Sequence, residues 1–199
     1  MIQYHTDLFA IQTDEIDNNE LFERCLEIES VLPDECPPIP VTWQGTKTTA
    51  LHSHYNLFSF PIKEINELYH LLVKHIGPLL EPDTQYMIKS WMNVYHKGEN
   101  IEWHGHSLPH NRAWHGFYCV HAGDSNTQYR MIDGSNITVP SKEGLIVIGK
   151  SNGDLHKSSE WTEVKPRVTL AFDIVRVESV QFKINHYIPF KGVNNANKS

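Results

Sequence analysis

Arg167-Val168-Thr169-Leu170-Ala171-Phe172-Asp173-Ile174 decides the fold class of this chain. Side chains alternate along an extended backbone. Val168, Leu170, Phe172 and Ile174 therefore share one face, and Arg167, Thr169, Ala171 and Asp173 share the other. The first face is aliphatic and belongs against a core. The second carries a cation and a hydroxyl two residues apart, a pair suited to holding a carboxylate in a pocket. A salt bridge at a strand end is the commoner fate of an arginine. The hydroxyl of Thr169 and a histidine upstream, His156, favour an anion anchor instead.

Working outward, segments of the same kind recur from residue 85 onward. Tyr86 to Tyr95, Ile101 to His106, Trp114 to Val120, Thr127 to Ile132, Asn136 to Val139, Leu145 to Ile148, Asp154 to Lys157, Arg167 to Val175 and Val180 to Ile184 read as strands. Gly, Asn, Asp, Ser and Pro punctuate them. Many short strands at close spacing predict a β-sandwich or barrel. The first 84 residues read as a support region. They hold a short strand within Ile2 to Ile11, a helix from Asp17 or Asn18 to about Ser30, a short strand around Asn56 to Phe60, and a helix over about Lys63 to Leu80. Leu21, Phe22, Cys25 and Ile28 stripe the first helix. Ile65, Leu68, Leu71, Leu72 and Ile76 stripe the second. The expectation is a mostly β chain with supporting α-helices. A helical layer over 1–84 lies on a β core over 85–185, in a single domain spanning 1–199, and the first 80 residues carry no chemical signature.

Bulk properties narrow the function. The net charge of −7 over 199 residues argues against a broad nucleic-acid surface. Met1 to Ala10 lacks the unbroken apolar run of a signal peptide, and no stretch approaches the roughly 20 apolar residues of a membrane helix. The three cysteines, Cys25, Cys36 and Cys119, lack CxxC spacing and suit a reducing compartment. These features predict a cytoplasmic monomer or homodimer with no nucleic-acid and no membrane partner.

Thirteen histidines raise the prospect of a metal. In Trp103-His104-Gly105-His106 the imidazoles at i and i+2 point the same way if the segment is a strand. His156 supplies a third. Most His-x-His pairs are surface residues, and the later His156 and Arg167 are what raise this one to a metal site. Among the neighbours, Pro109 puts His110 on a loop at the rim. Trp103, Trp114, Tyr118 and Tyr129 suit either a pocket wall or the core. Asp124 sits in a turn and is the outside candidate for a carboxylate ligand.

The order Tyr95-x2-Gly98-x5-His104-x-His106, then His156, then Arg167-x-Thr169 resembles the iron(II)/2-oxoglutarate-dependent oxygenases. It is most similar to their prolyl-4-hydroxylase-like branch and to the small oxygenases common in phage and marine bacterial genomes. The resemblance covers about residues 85–175. It implies a double-stranded β-helix, the jelly-roll architecture shared with cupins. It implies Fe(II) held by His104 and His156, with His106 as a third ligand where most of the superfamily has Asp or Glu. It implies Arg167 and Thr169 on the far carboxylate of 2-oxoglutarate, and Tyr95 and Asn93 reaching the cosubstrate from one strand face. The reaction implied consumes O2, releases succinate and CO2, and hydroxylates a peptidyl residue, an amino acid or a small metabolite. A cupin-type three-histidine metalloenzyme working without 2-oxoglutarate and a non-catalytic binding protein of the same fold are the alternatives. Arg167-x-Thr169 separates them, because it has a purpose only where a dicarboxylate binds.

Overall fold

The computed structural model describes residues 1–35, 46–106, 113–180 and 186–190. Strand β1 spans Ile2–His5, β2 Leu8–Gln12, β3 Tyr86–Tyr95, β4 Ala113–His121, β5 Asn126–Arg130, β6 Asn136–Pro140, β7 Leu145–Lys150, β8 Leu155–Ser158, β9 Arg167–Arg176 and β10 Ile188–Phe190. The helices are α1 Asn18–Glu35, α2 Lys47–Ala50 and α3 Lys63–Ile76. The decisive segment, β9, lies between β3 and β4 in a seven-stranded sheet of order β1-β2-β7-β4-β9-β3-β10. All its pairings are antiparallel. A smaller sheet of order β6-β5-β8 faces it. The architecture is the predicted mostly β double-stranded β-helix with a helical layer.

The two faces of β9 divide the molecule as the alternation requires. Val168, Leu170, Phe172 and Ile174 join Ile88, Met92, Val94, Ile146 and Ile148 on the outer face of the large sheet. Against them pack Leu21, Phe22, Cys25 and Ile28 of α1 and Ile65, Leu68, Leu72 and Ile76 of α3. Each fully buried side chain of this size contributes about 1.5–3 kcal/mol relative to exposure. Their number fixes the helices on this face. On the inner face Leu8, Ala10, Cys119 and Val147 meet Tyr129 and Val139 of the small sheet and fill one end of the sandwich. Gly116 keeps β4 close at this level. A Cβ there would stand 2.2 Å from the Val147 carbonyl oxygen and 2.7 Å from Phe172.

Four local expectations change. The N-terminal strand is a hairpin, β1 with β2, and β2 pairs with β7, so the support region extends the sheet as well as covering it. Asn56 to Phe60 is no strand. Leu57–Ser59 form a 3-10 turn because the Asn56 side chain accepts from the amides of Phe58 and Ser90. The third helix stops at Ile76, and Pro78 directs Gly77–Leu79 into a 3-10 turn. Ile101 to His106 forms no strand either, only a single bridge from His104 to His156. Gly105 is the local cause of that contact. A Cβ there would stand 2.9 Å from the Asp154 carbonyl oxygen, so only glycine lets the two segments approach. The segment Val180 to Ile184 lies, apart from Val180, outside the described residues.

Candidate metal centre

The bridge holds His104 against β8 by two backbone bonds. The His104 amide donates to the His156 carbonyl at 3.0 Å, and the His156 amide donates to the His104 carbonyl at 2.8 Å. His104 thus extends the edge of the small sheet, and His106 swings across toward the large one. The three sequence-predicted imidazoles converge. Their ring centroids are 4.3 Å apart for His104 and His156, 5.2 Å for His106 and His156, and 6.0 Å for His104 and His106. One nitrogen of each lies within 4.8 Å of the others.

The surroundings assign tautomers. The Glu102 carbonyl is 2.8 Å from His104 Nδ1. A carbonyl only accepts, so Nδ1 carries the proton and the lone pair is on Nε2. Asp173 Oδ1 is 2.6 Å from His106 Nδ1, which orients that ring in the same sense. Burial draws His156 well below the ordinary imidazole value, against the pull of Asp154, and burial likewise lowers His104. Burial also opposes the charged form of His106, but Asp173 outweighs it and the net shift is upward. His104 and His156 are therefore neutral imidazoles near pH 7, the form that binds a metal.

Two residues that the sequence reading did not assign to the site complete the cluster. His115 of β4, 2 % exposed, stacks on His106 at 4.5 Å and on His156 at 5.1 Å. Its Nδ1 lies 3.1 Å from Ser151 Oγ, and its Nε2 lies 3.1 Å from Asp154 Oδ2. Asp154 is buried, 3.8 Å from His156 Nδ1. Burial works against its ionisation, yet the two histidines hold its carboxyl far below the usual range. His115, Asp154 and His156 thus make a second metal-capable group sharing His156. Asp124, the outside candidate, is exposed in the turn before β5 and belongs to neither group. His110 lies outside the described residues. Tyr129 packs 5.3 Å from His156, whereas Tyr118 points to the helical side. Trp103 packs against the cationic ends of Arg130 and Lys157, 4.1 Å and 5.2 Å from its ring centre.

The imidazoles line a cavity of about 420 Å³ that also receives Asn93, Tyr95, Arg167 and Thr169. The four predicted anion-end residues are two adjacent cross-strand pairs, Tyr95 with Arg167 and Asn93 with Thr169. Arg167 is 1 % exposed. Its Nη2 donates to Ser141 Oγ at 3.3 Å, and its guanidinium lies 4.8 Å from the Tyr95 ring centre. Its Nε and Nη1 are buried with no partner among the described residues. Burial pushes the Tyr95 hydroxyl up in pKa, while Arg167, Ser158 and Thr169 pull it back. Asn93 is engaged at both ends. Its Oδ1 accepts from Thr49 at 2.7 Å, and its Nδ2 donates to Thr169 at 3.2 Å. Thr49 of α2 and His52 line the cavity too, so the first 80 residues do contribute to it.

Comparison with known proteins places this geometry. No family model and no curated protein matches the chain. Solved structures do. A prolyl-4-hydroxylase of Pseudomonas putida superposes with a TM-score of 0.60 at 13 % identity, over 86 % of this chain and 94 % of that one. A prolyl hydroxylase of Trichoplax adhaerens, solved with a peptide of hypoxia inducible factor, gives 0.59 at 9 %, over 87 % and 85 %. CytC3, solved with Fe(II) and α-ketoglutarate, gives 0.55 at 18 %, over 95 % and 78 %. The chain has the double-stranded β-helix fold of the Fe(II)/2-oxoglutarate oxygenase structures.

Proposed function

We propose that this chain is an Fe(II)- and 2-oxoglutarate-dependent oxygenase acting as a hydroxylase. One observation carries the reading. A buried arginine, two of whose guanidinium nitrogens have no partner among the described residues, shares a cavity with three converging imidazoles. A buried cation without an acceptor costs several kcal/mol and calls for an anion. The imidazole set fits a divalent transition metal, and Arg167 fits a carboxylate. When bound, iron and 2-oxoglutarate supply the oxidising chemistry, in which O2 is consumed, succinate and CO2 leave, and a substrate C–H becomes C–OH.

The roles of the chain's own residues follow. His104, His106 and His156 hold the metal. The Glu102 carbonyl and Asp173 keep the Nδ1 protons of His104 and His106 turned away from it. With three neutral ligands in place of two and a carboxylate, Asp173 and Asp154 supply negative charge one hydrogen bond or ion pair further out. Arg167 pairs with the far carboxylate of 2-oxoglutarate, Thr169 adds its hydroxyl, and Tyr95 closes over the guanidinium. Asn93, committed to Thr49 and Thr169, orients Thr169 rather than reaching the cosubstrate itself. The apolar parts of Trp91, Ile101 and Phe117 exclude water. Cys25 and Cys119 are buried and unbridged, in keeping with a reducing cytoplasmic setting.

The test is an anaerobic titration of the metal-loaded protein with 2-oxoglutarate, followed by the visible charge-transfer band of the Fe(II) chelate. Loss of a charge-assisted buried contact costs about 1.5–3 kcal/mol, so Arg167→Ala is expected to weaken cosubstrate binding roughly 10- to 150-fold while metal uptake persists. Absence of the band in the parent chain, or an undiminished band in the variant, overturns the assignment. The all-imidazole ligand set favours a second reading, a cupin-type enzyme that uses metal without 2-oxoglutarate. Metal uptake with no cosubstrate band is its signature.

A further inference from the structure

Strand β3 brings a second cation into the cavity. Lys89 is 5 % exposed and shares a strand face with Trp91, Asn93 and Tyr95. It stands opposite Asp173 on β9, as Tyr95 stands opposite Arg167. The two pairs are six residues apart, roughly 20 Å along the strands. Arg167 and Lys89 therefore occupy opposite ends of one pocket. The metal-capable cluster belongs to the Lys89 end. Asp173 accepts from His106 there, and His115 is the cross-strand partner of Asp173 on β4. At one level of the sheet the inward side chains run His115, Asp173, Lys89. Beside Lys89, Trp91 lies 5.6 Å from His52 and 6.1 Å from His106, and Tyr187 lines the same end.

Among the described residues the Lys89 ammonium makes no hydrogen bond and no ion pair, and it faces the cavity. Its one close anion in sequence register, Asp173, is already held by His106 at 2.6 Å. Burial lowers the ammonium pKa, and Asp173 offsets this only in part. The ammonium opens into the cavity, where a ligand carboxylate can reach it and supply a charge-assisted contact. Arg167 serves the cosubstrate in the function proposed above, and this inference rests on that reading. Among the described residues that line the cavity, Lys89 is the remaining Lys or Arg, at the metal end, where the substrate must present its reacting carbon.

We propose that Lys89 anchors a carboxylate of the primary substrate, which is therefore a carboxylic acid bound against Trp91. The residue selects the substrate and takes no part in the chemistry.

The test uses the full chain, metal-free and loaded with Ni(II) and 2-oxoglutarate. The probes are the N-acetyl derivatives of the twenty amino acids, each as free acid and as primary amide, with C2 to C6 monocarboxylic acids alongside. Binding is read by ligand-observed NMR and calorimetry. At least one acid is expected to bind about tenfold or more tighter than its amide. K89M is expected to erase that preference and K89R to restore it. Near-UV circular dichroism checks that each variant is folded, and the acid-against-amide comparison in the parent chain stands even if K89M fails to fold. No acid preference anywhere in the panel, a preference that survives K89M, or a loss of 2-oxoglutarate rather than acid binding in K89M overturns the proposal. Failure of the oxygenase reading looks different. Ni(II) and 2-oxoglutarate would then not bind, while the acid preference would persist in the metal-free chain.

Discussion

At the scale of single residues, the site turns on Asp173. It was visible in the sequence only as a polar residue on the Arg167 face of a strand. In the fold it touches His106 at 2.6 Å and faces Lys89 across the ladder. Asp173→Asn preserves shape and an acceptor oxygen but removes the charge that compensates a neutral ligand set. Such partners of metal-bound histidines are worth about 10- to 100-fold in affinity, so the variant is expected to bind Fe(II) or Ni(II) that much more weakly. Competition against a chromophoric chelator measures it, and an unchanged affinity would reduce Asp173 to a structural role. His104, His106 and His156 were legible because an i, i+2 pair and a later histidine carry their own spacing. His115 and Asp154 were not. Which face of β4 meets the cavity depends on the pairing of His115 with Asp173, a contact 58 residues away in sequence that no local pattern encodes.

At the scale of elements, alternation located most strands because it is a local consequence of backbone geometry. It gave the bounds of β3 correctly and most other strands to within a residue or two. It failed where side chains or close packing replaced a ladder. Asn56 satisfies backbone amides that a strand would have paired, and the His104 segment, brought close by Gly105, makes a single bridge rather than a ladder. The seating of α3 gives a second prediction. Glu15, in the connection between β2 and α1, accepts from Lys74 and from His75 at the end of α3. Those bonds lower its pKa from 4.5 to about 2. A carboxyl whose folded pKa is depressed stabilises the fold above its unfolded value, and that stability is lost as pH falls through the folded value. The Glu15 contribution is therefore complete above about pH 4.5 and fades between there and about pH 2. Glu15→Gln is expected to flatten this part of the acid limb in urea midpoints measured across that range. Because Glu15 is solvated, the difference from the parent chain shrinks in 1 M salt. A difference that ignores both pH and salt would mean that the contact does not carry the effect.

At the scale of the whole molecule, the two sheets are held at one end by packed side chains and at the other by a cavity ringed with polar groups. The filled end is Leu8, Val147, Tyr129 and Val139. The open end brings His156 from the small sheet, His106 from the crossing segment and Arg167 from the large sheet into one space. Among the described residues Arg167 Nε and Nη1 have no partner, and the imidazoles converge from both sheets, so ligands that bridge the sheets must stabilise the native state over the unfolded chain. A metal at 100 times its dissociation constant adds about 2.7 kcal/mol. For a chain of this size that corresponds to a rise in Tm of about 5–10 °C. Anaerobic Fe(II), or Ni(II) in air, is expected to produce this shift, and EDTA to reverse it. 2-Oxoglutarate is then expected to add a further increment only when metal is present, since it spans from the imidazoles to Arg167. In Arg167→Ala the metal increment should remain and the 2-oxoglutarate increment should vanish. A cosubstrate increment without metal would place the dicarboxylate somewhere other than across this cavity. Loss of both increments in Arg167→Ala would show that the arginine holds the sheets together rather than the ligand.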